Sequence, residues 1–273
     1  PLSKAEDPPT TRLLDAYPKK WDTLPKYDIS FFNELAAVIN EEPVQERDLA
    51  MMGLLHSIGI RKGEEFAPDE ATADILAGSL GEAYNYMQWF FETPGKALAP
   101  YWKERSWLGP NLSKEQAAAG FPFVTEDRLL VDERSGGIYF WATFLPKKLG
   151  AGSFYLMGLH DVAGKLLNGE TLYRLRVPAD TPAGDFWSVI AYSMKTKGFI
   201  DGAEKVGLSS LDTEVLKAND DGSIDVYFGP RPPEGLRSNW IPTGEDFFLI
   251  FRFYGPQKPL YEKTWQLPDV ERV

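Results

Sequence analysis

The chain has 273 residues, a formal net charge of −11 and no cysteine. The negative charge argues against nucleic acid or an anionic membrane as the main partner, and no apolar run reaches the ~18 residues that a membrane span requires. The lack of cysteine excludes disulfides, thiolate zinc sites and cysteine nucleophiles, and it leaves the compartment open.

Residues 1–27 are polar and rich in proline, which predicts an extended linker. Pro8, Pro9, Pro18 and Pro25 interrupt any helix. The segment lacks the apolar stretch of a signal peptide, so any targeting signal is expected upstream. Because the chain starts at a proline and not at methionine, we expect it to be a mature product or a fragment of a longer polypeptide.

Residues 28–115 are predicted to form a helical segment. The first helix begins at "DISFF", with an Asp or Ser as N-cap, and one stripe of it is apolar. A second helix, starting near Pro43, is expected to turn Leu49, Met52 and Leu55 inward and to stop at Gly59. A third helix is predicted from Pro68 to Phe91. The inward-facing residues expected in the first and third helices are Phe32, Leu35, Ala36, Ile39, Tyr84, Met87 and Phe91.

Residues 116–273 are predicted to form a β domain. Runs rich in Val, Ile, Tyr and Phe alternate with turn residues, and no helix-length segment separates them. Hairpins are expected at residues 135–137, at residues 162–164 and at the Asp-Gly of "ANDDGSID". Seven or more strands joined by short turns predict an antiparallel, jelly-roll-like sandwich. The fold class is therefore α+β, with a helical segment followed by a β sandwich.

Arg252 is the most informative candidate site residue. Alternation along "FFLIFRFYGP" places Arg252 and Tyr254 on one face of a strand. An unpaired buried charge costs roughly several kcal/mol, so Arg252 must reach solvent or find a partner. Asp225 and Tyr227 share a face of the preceding strand and are candidates for that partner. These four residues are either a polar floor for an anionic or hydroxylated ligand, or a structural ion pair.

The loop "PRPPEGLRSNWIP" is a second candidate for ligand recognition. Prolines stiffen it, while Arg237, Asn239 and Trp240 supply a charge, an amide and a ring. This trio suits a sugar or another small ligand, with the ring stacking on an apolar face. The alternative is a rigid loop in which Trp240 caps the core of the sandwich.

No pattern of metal ligands or cofactor-binding residues is found, so no metal and no cofactor are predicted. "ANDDGSID" lacks the spacing of a calcium loop and is interpreted as a tight turn. His56 is interpreted as a core histidine of its helix. His160 and Asp161 are neighbours in sequence and point to opposite faces of a strand, so we interpret them as a solvated strand end.

Four carboxylates near the ends of the first predicted strand keep a hydrolase as the alternative function. A pair of carboxylates held ~5–10 Å apart across a cleft can hydrolyse glycosidic bonds. Charged residues near strand ends more often form a solvated rim. The candidates are Glu126, Asp127, Asp132 and Glu133, together with Asp225.

Three segments resemble the bacterial domain-of-unknown-function family 1214. They are "YRLRVPADTPAGDFWSVIAYSMKTKGFI", "NDDGSIDVYFGPRPPEGLRSNWIPTGEDFFLIFRFYGP" and "KTWQLPDVERV". The resemblance is close from Gly120 to Val273, and it implies jelly-roll-like β domains, homo-oligomers and no established activity. Domains of this family usually follow a domain of family 1254, which is missing here. We therefore expect association with such an N-terminal domain, and a ligand-binding or assembly role.

Overall fold

The computed structural model describes residues 26–93, 98–110, 125–132, 134–135, 152–212 and 214–273. Two compact units divide between Leu80 and Gly81. Residues 1–25 of the predicted linker and the turn at residues 136–137 lie outside the described residues. In the described part of that predicted hairpin, Val131 and Asp132 are helical and not extended, as the hydrogen bond from Arg134 N to Leu130 O indicates.

The first unit is built from α1 (Ser30–Glu41), α2 (Leu49–Ser57) and the first half of α3 (Glu70–Glu92). The N-cap of α1 is Ile29 and makes no side-chain capping bond, so the predicted Asp or Ser cap is wrong, although the Asp28 carboxylate accepts a hydrogen bond of 2.8 Å from Ser30 N just before the helix. The core of this unit contains residues at helical spacing from α1 and α3, joined by a residue of the following loop. These are Phe32, Ala36, Leu76, Leu80 and Ile60.

Two details of α2 differ from the sequence prediction. Leu49 is 58% exposed, although Met52 is buried and Leu55 packs against the core as expected. His56 is exposed and is not a core histidine. A 3-10 turn over Glu46–Asp48 precedes α2 and shifts its start, which takes Leu49 out of the buried stripe.

The second unit contains two β-sheets that enclose one apolar core, so the predicted α+β sandwich is confirmed. The six-stranded sheet has the order β1-β2-β3-β9-β5-β6, and the four-stranded sheet has the order β10-β4-β7-β8. The strands are β1 (Leu98–Pro100), β2 (Trp107–Pro110), β3 (Ser153–Gly158), β4 (Tyr173–Val177), β5 (Ala183–Ser193), β6 (Gly207–Ser209), β7 (Ile224–Gly229), β8 (Trp240–Pro242), β9 (Phe247–Pro256) and β10 (Glu271–Arg272).

Strand β9 lies at the centre of the six-stranded sheet, between β3 and β5. Its alternation is the predicted one. Phe247, Leu249, Phe251 and Phe253 enter the core between the sheets. Phe248 and Ile250 face the other side, where Phe90 and Phe91 at the end of α3 pack against them. Apolar residues cover both faces of this part of β9, which explains why its sequence is almost continuously apolar.

The predicted second hairpin is only partly correct. Its turn exists, because Asp161 N donates to Lys165 O at 2.8 Å and Gly164 N donates to Asp161 O at 2.8 Å. The strand after the turn, however, does not pair with β3. The chain crosses instead to the four-stranded sheet, where β4 pairs with β7.

The predicted Asp-Gly turn is confirmed. Asn219 N donates to Ser223 O at 2.8 Å, and Gly222 has a φ of +77°, which favours glycine. The Asp221 carboxylate accepts a hydrogen bond of 2.9 Å from Ser223 N. Internal hydrogen bonds of the turn therefore account for this acidic run.

Candidate functional site

Arg252 lies on the outer face of the six-stranded sheet, the face turned away from the core. Its guanidinium carbon is 5.3 Å from the centre of the Tyr155 ring and 5.8 Å from that of Tyr192. One terminal nitrogen donates a hydrogen bond to the Tyr192 hydroxyl. The Nε atom is buried and has no hydrogen-bond partner. Among the residues that the structure describes, no carboxylate forms an ion pair with this guanidinium.

The register of the sheet brings these side chains together. Tyr155 on β3 is opposite Arg252, and so is Ser188 on β5. Two residue pairs further along, Phe186 is opposite Tyr254, and their rings stack with centres 4.0 Å apart and planes 15° from parallel. The charged head of Arg252 therefore lies within a surface made largely of aromatic rings.

Tyr192 is a hydrogen-bond donor as well as an acceptor at this surface. Burial raises the pKa of its hydroxyl, Arg252 opposes the rise, and the hydroxyls of Tyr254 and Tyr155 add to it. The group is therefore protonated at neutral pH. Because its oxygen accepts from Arg252, its own hydrogen is left to donate to another group. Arg252 and Tyr192 together offer donors that suit an anion.

The structure does not bring Asp225 and Tyr227 to Arg252. Both lie on β7 in the four-stranded sheet, so the predicted four-residue floor and the predicted pair of Arg252 with Asp225 are wrong as an arrangement. Asp225 pairs with Arg176 at 3.0 Å and lies 3.7 Å from Arg174. The prediction failed because it took β7 as the neighbour of β9, whereas the chain changes sheets between them.

Asn239 and Trp240 have internal hydrogen-bond partners. The Asn239 amide nitrogen donates to Lys217 O at 2.8 Å and to Asp225 O at 3.0 Å, and its oxygen accepts from Lys217 N at 2.9 Å. The Trp240 indole donates to Gly229 O at 3.0 Å. Both side chains are buried. Their predicted ligand binding stays a prediction, and this geometry favours the alternative of a rigid loop.

His160 and Asp161 are not a solvated strand end. Asp161 is 1% exposed, and its carboxylate accepts hydrogen bonds from Ala163 N and Lys165 N, each of 2.9 Å, and from Arg272 Nε at 2.6 Å. Burial by itself raises the pKa of Asp161, but these bonds outweigh it and leave the pKa lowered. Burial also lowers the pKa of the half-buried His160. Asp161 therefore holds the turn together.

The described carboxylates give the hydrolase hypothesis no support. Glu126, Asp127 and Asp132 are exposed, and Glu133 lies outside the described residues. A hydrogen bond from Thr125 lowers the pKa of Asp127, whereas a general acid requires a raised one. Within the described ranges, no group of three or more His, Asp or Glu residues is arranged to hold a metal ion. No helix found there is long and apolar enough to cross a membrane.

Sequence reasoning missed Tyr155, Tyr192 and Phe186 as neighbours of Arg252. The run "DFWSVIAYSM" has period-two alternation that puts Phe186, Ser188 and Tyr192 on one face, so a signal exists for those on β5. Nothing local says that β5 pairs with β9, or in which register. That pairing joins segments about sixty residues apart and arises from the packing of the whole sheet.

A comparison with curated proteins finds no match. The VPA0106 protein from Vibrio parahaemolyticus is similar in structure, with 18% identity, a TM-score of 0.42, and 98% of this chain and 59% of that chain covered. A putative uncharacterized protein from Burkholderia cenocepacia has 18% identity and a TM-score of 0.28, with 45% and 29% covered. This chain thus spans 59% of the length of the Vibrio protein.

The family model that matches describes a "Protein of unknown function (DUF1214)", and the match extends over residues 152–258. These residues include β3 to β9, and so the strands that carry Arg252 and its aromatic neighbours. The family predicted from the sequence is therefore confirmed, and the C-terminal part of the chain, over residues 152–258, carries a DUF1214 domain.

Proposed function

We propose that the second unit binds a small anionic ligand on the outer face of its six-stranded sheet, at Arg252. The observation that carries this proposal is the lack of partners around the Arg252 guanidinium. It is half-buried between two tyrosine rings, its Nε has no hydrogen-bond partner, and no described carboxylate neutralises it. Buried polar groups in proteins normally have partners, so the charge of Arg252 is incompletely compensated by the described residues, and an anion at the exposed part of the guanidinium would compensate it.

The geometry favours an anion over a neutral ligand. A guanidinium offers donors in a fixed planar fork that matches two oxygens of a carboxylate or phosphate. The Tyr192 hydroxyl supplies a further donor, since its oxygen already accepts from Arg252. Elsewhere in the sheets, arginines such as Arg176 already have a carboxylate partner. Arg252 lacks such a partner among the described residues, so its guanidinium is left to bind an anion.

Isothermal titration calorimetry of the whole chain tests this proposal with acetate, benzoate and inorganic phosphate as probes. Arg252→Met keeps the length of the side chain but removes its charge and donors. A hydrogen bond to a charged group contributes about 1.5–3 kcal/mol, so affinity for at least one of these anions should fall by about 10- to 100-fold.

Arg231→Met is the matched control, because Arg231 is exposed and lies in the loop after β7. It should bind the same anions as the unaltered chain. The proposal is wrong if none of the three anions binds at millimolar concentration, or if Arg252→Met binds them as well as the control does.

The homo-oligomer and the association with a 1254 domain stay predictions that rest on the family resemblance. Size-exclusion chromatography with light scattering measures the first of these directly. A mass of one chain at micromolar concentration would contradict it.

A further inference from the structure

We infer that Phe199 is a positioning residue of the anion site, because its ring holds the Tyr192 ring where the Tyr192 hydroxyl can donate a second hydrogen bond to the anion. This inference rests on the proposed function and adds the residue that fixes its second donor. Two features carry it: the turn that brings Phe199 back to Tyr192, and the rings that enclose Tyr192 from both sides.

The turn after β5 places Phe199 next to Tyr192. Ser193 N donates to Gly198 O at 2.9 Å, and Lys197 N donates to Ser193 O at 2.9 Å, which closes the turn. Lys197 has a φ of +59°, an uncommon conformation for a residue with a side chain. Phe199 then forms an antiparallel bridge with Tyr192. Residues that pair in this way point to the same face, so Phe199 lies on the outer face of the six-stranded sheet.

Aromatic rings enclose the Tyr192 ring from both neighbouring segments. On the β9 side, its cross-strand partner Phe248 stacks on it, with ring centres 5.4 Å apart and planes 21° from parallel. On the opposite side, Phe199 stacks on it with ring centres 5.3 Å apart and planes 27° from parallel. Two nearly parallel neighbours restrict the rotation of the Tyr192 side chain. The position of its hydroxyl is therefore set by both stacks and by the hydrogen bond from Arg252.

The exposure of Phe199 separates its role from that of Phe248. Phe248 is buried and packs against Phe91 of α3, so it serves the fold. Phe199 is 58% exposed, whereas Tyr192 is 8% exposed. A ring that stays mostly in water buries little of its own surface and contributes little to stability. We therefore expect Phe199 to act mainly through the tyrosine that it covers.

A fixed hydroxyl strengthens anion binding because less side-chain freedom is lost when the anion binds. The Tyr192 oxygen accepts from Arg252, so the hydroxyl hydrogen remains to donate to a ligand. Binding to a donor that is already held in place avoids the entropic cost of immobilising it. Without the Phe199 ring, the Tyr192 side chain gains freedom and contact with water, and either change weakens its hydrogen bond to the anion.

Calorimetry of the whole chain with acetate, benzoate and inorganic phosphate tests this role. Phe199→Leu keeps an apolar side chain without the ring, and it should weaken anion binding about fivefold. Phe199→Tyr keeps the ring and should bind like the unaltered chain. Tyr192→Phe removes the donor itself and should weaken binding about tenfold. In the Tyr192→Phe background, Phe199→Leu should have no further effect, because a positioning residue acts only through the group that it positions.

Val162→Ala is the control, because Val162 is also an exposed apolar residue in a turn of the second unit, and it should bind the anions normally. An unchanged affinity in Phe199→Leu, a loss that Phe199→Tyr does not restore, or an equal loss in the Tyr192→Phe background would each refute the positioning role. These results leave the anion site intact as long as Arg252→Met still loses binding. Anion binding that does not depend on Arg252 would refute the proposed function as well.

Discussion

Asn239 and Arg252 are both polar residues next to an aromatic residue in the sequence, and their hydrogen-bond partners separate a structural role from a candidate binding role. Asn239 is 1% exposed. Its amide nitrogen donates to Lys217 O and Asp225 O, and its amide oxygen accepts from Lys217 N. Arg252 is half-buried and keeps donors that no described residue uses. A buried polar group that is fully paired stabilises the fold, while an incompletely paired one at a surface suggests a ligand.

Asn239→Asp should destabilise the second unit. The change replaces the amide donor by an oxygen that faces Lys217 O and Asp225 O, so two carbonyls lose their hydrogen bonds in a buried place. We expect a loss of about 2–4 kcal/mol in the free energy of unfolding, measured by urea denaturation at pH 7. Asn85→Asp, at an exposed position of α3, is the control and should change stability by less than about 0.5 kcal/mol. Equal effects at both positions would contradict this role of Asn239.

At the scale of elements, Lys197 joins the turn after β5 to the last turns of α3. Its ammonium donates hydrogen bonds to the Gln88 side chain and to Met194 O, and it lies 4.5 Å from the centre of the Phe91 ring. Burial lowers the pKa of Lys197 to about 8, against the attraction of Glu92. Helix α3 thus packs on the sheet next to a lysine whose charged form is partly disfavoured by its surroundings.

The stability of the second unit should therefore rise between pH 8 and pH 10.5. The folded chain loses the Lys197 proton near pH 8, while the unfolded chain keeps it up to about pH 10.5. Where the unfolded state binds more protons, stability increases with pH, here by up to about 3 kcal/mol. Lys197→Met removes the titrating group, so the difference between the two proteins in urea denaturation isolates this contribution. A difference that does not vary with pH would show that the pKa of Lys197 is not lowered.

At the scale of the whole molecule, one core holds the two sheets of the second unit together. Phe251 of β9 is fully buried there and contacts the rings of Trp187, Trp107 and Phe253, with centres 5.5, 6.2 and 4.8 Å away. The first unit has a separate core of its own between helices. Stability of the sandwich is therefore expected to depend on the inward residues of β9.

Phe251→Ala should lower the free energy of unfolding of the sandwich by about 3–5 kcal/mol, because it removes a ring and leaves a cavity in a closely packed core. Phe199→Ala is the control, since the Phe199 side chain is 58% exposed, and it should lower stability by less than about 1 kcal/mol. Urea denaturation followed by tryptophan fluorescence measures both. Similar losses for the two variants would contradict a core centred on β9.

Some features of this protein follow from local sequence alone. The alternation along β9 assigns each residue to one of two faces, and the structure has the same assignment. The Asp-Gly turn and the apolar stripe of α1 depend on residues within a few positions of each other, and both are present. The match to DUF1214 confirms the family that the motifs indicated.

Only the tertiary structure decided which faces meet. Periodicity places Arg252 on a face but does not say that Tyr155 of β3 and Tyr192 of β5 share it, or that Asp225 lies in the other sheet. Strand pairing joins segments that are distant in sequence, and the burial of the whole sandwich selects it from many pairings of similar local quality. The sequence therefore determined which face of β9 carries Arg252, while the sheet register determined the surroundings of its charge.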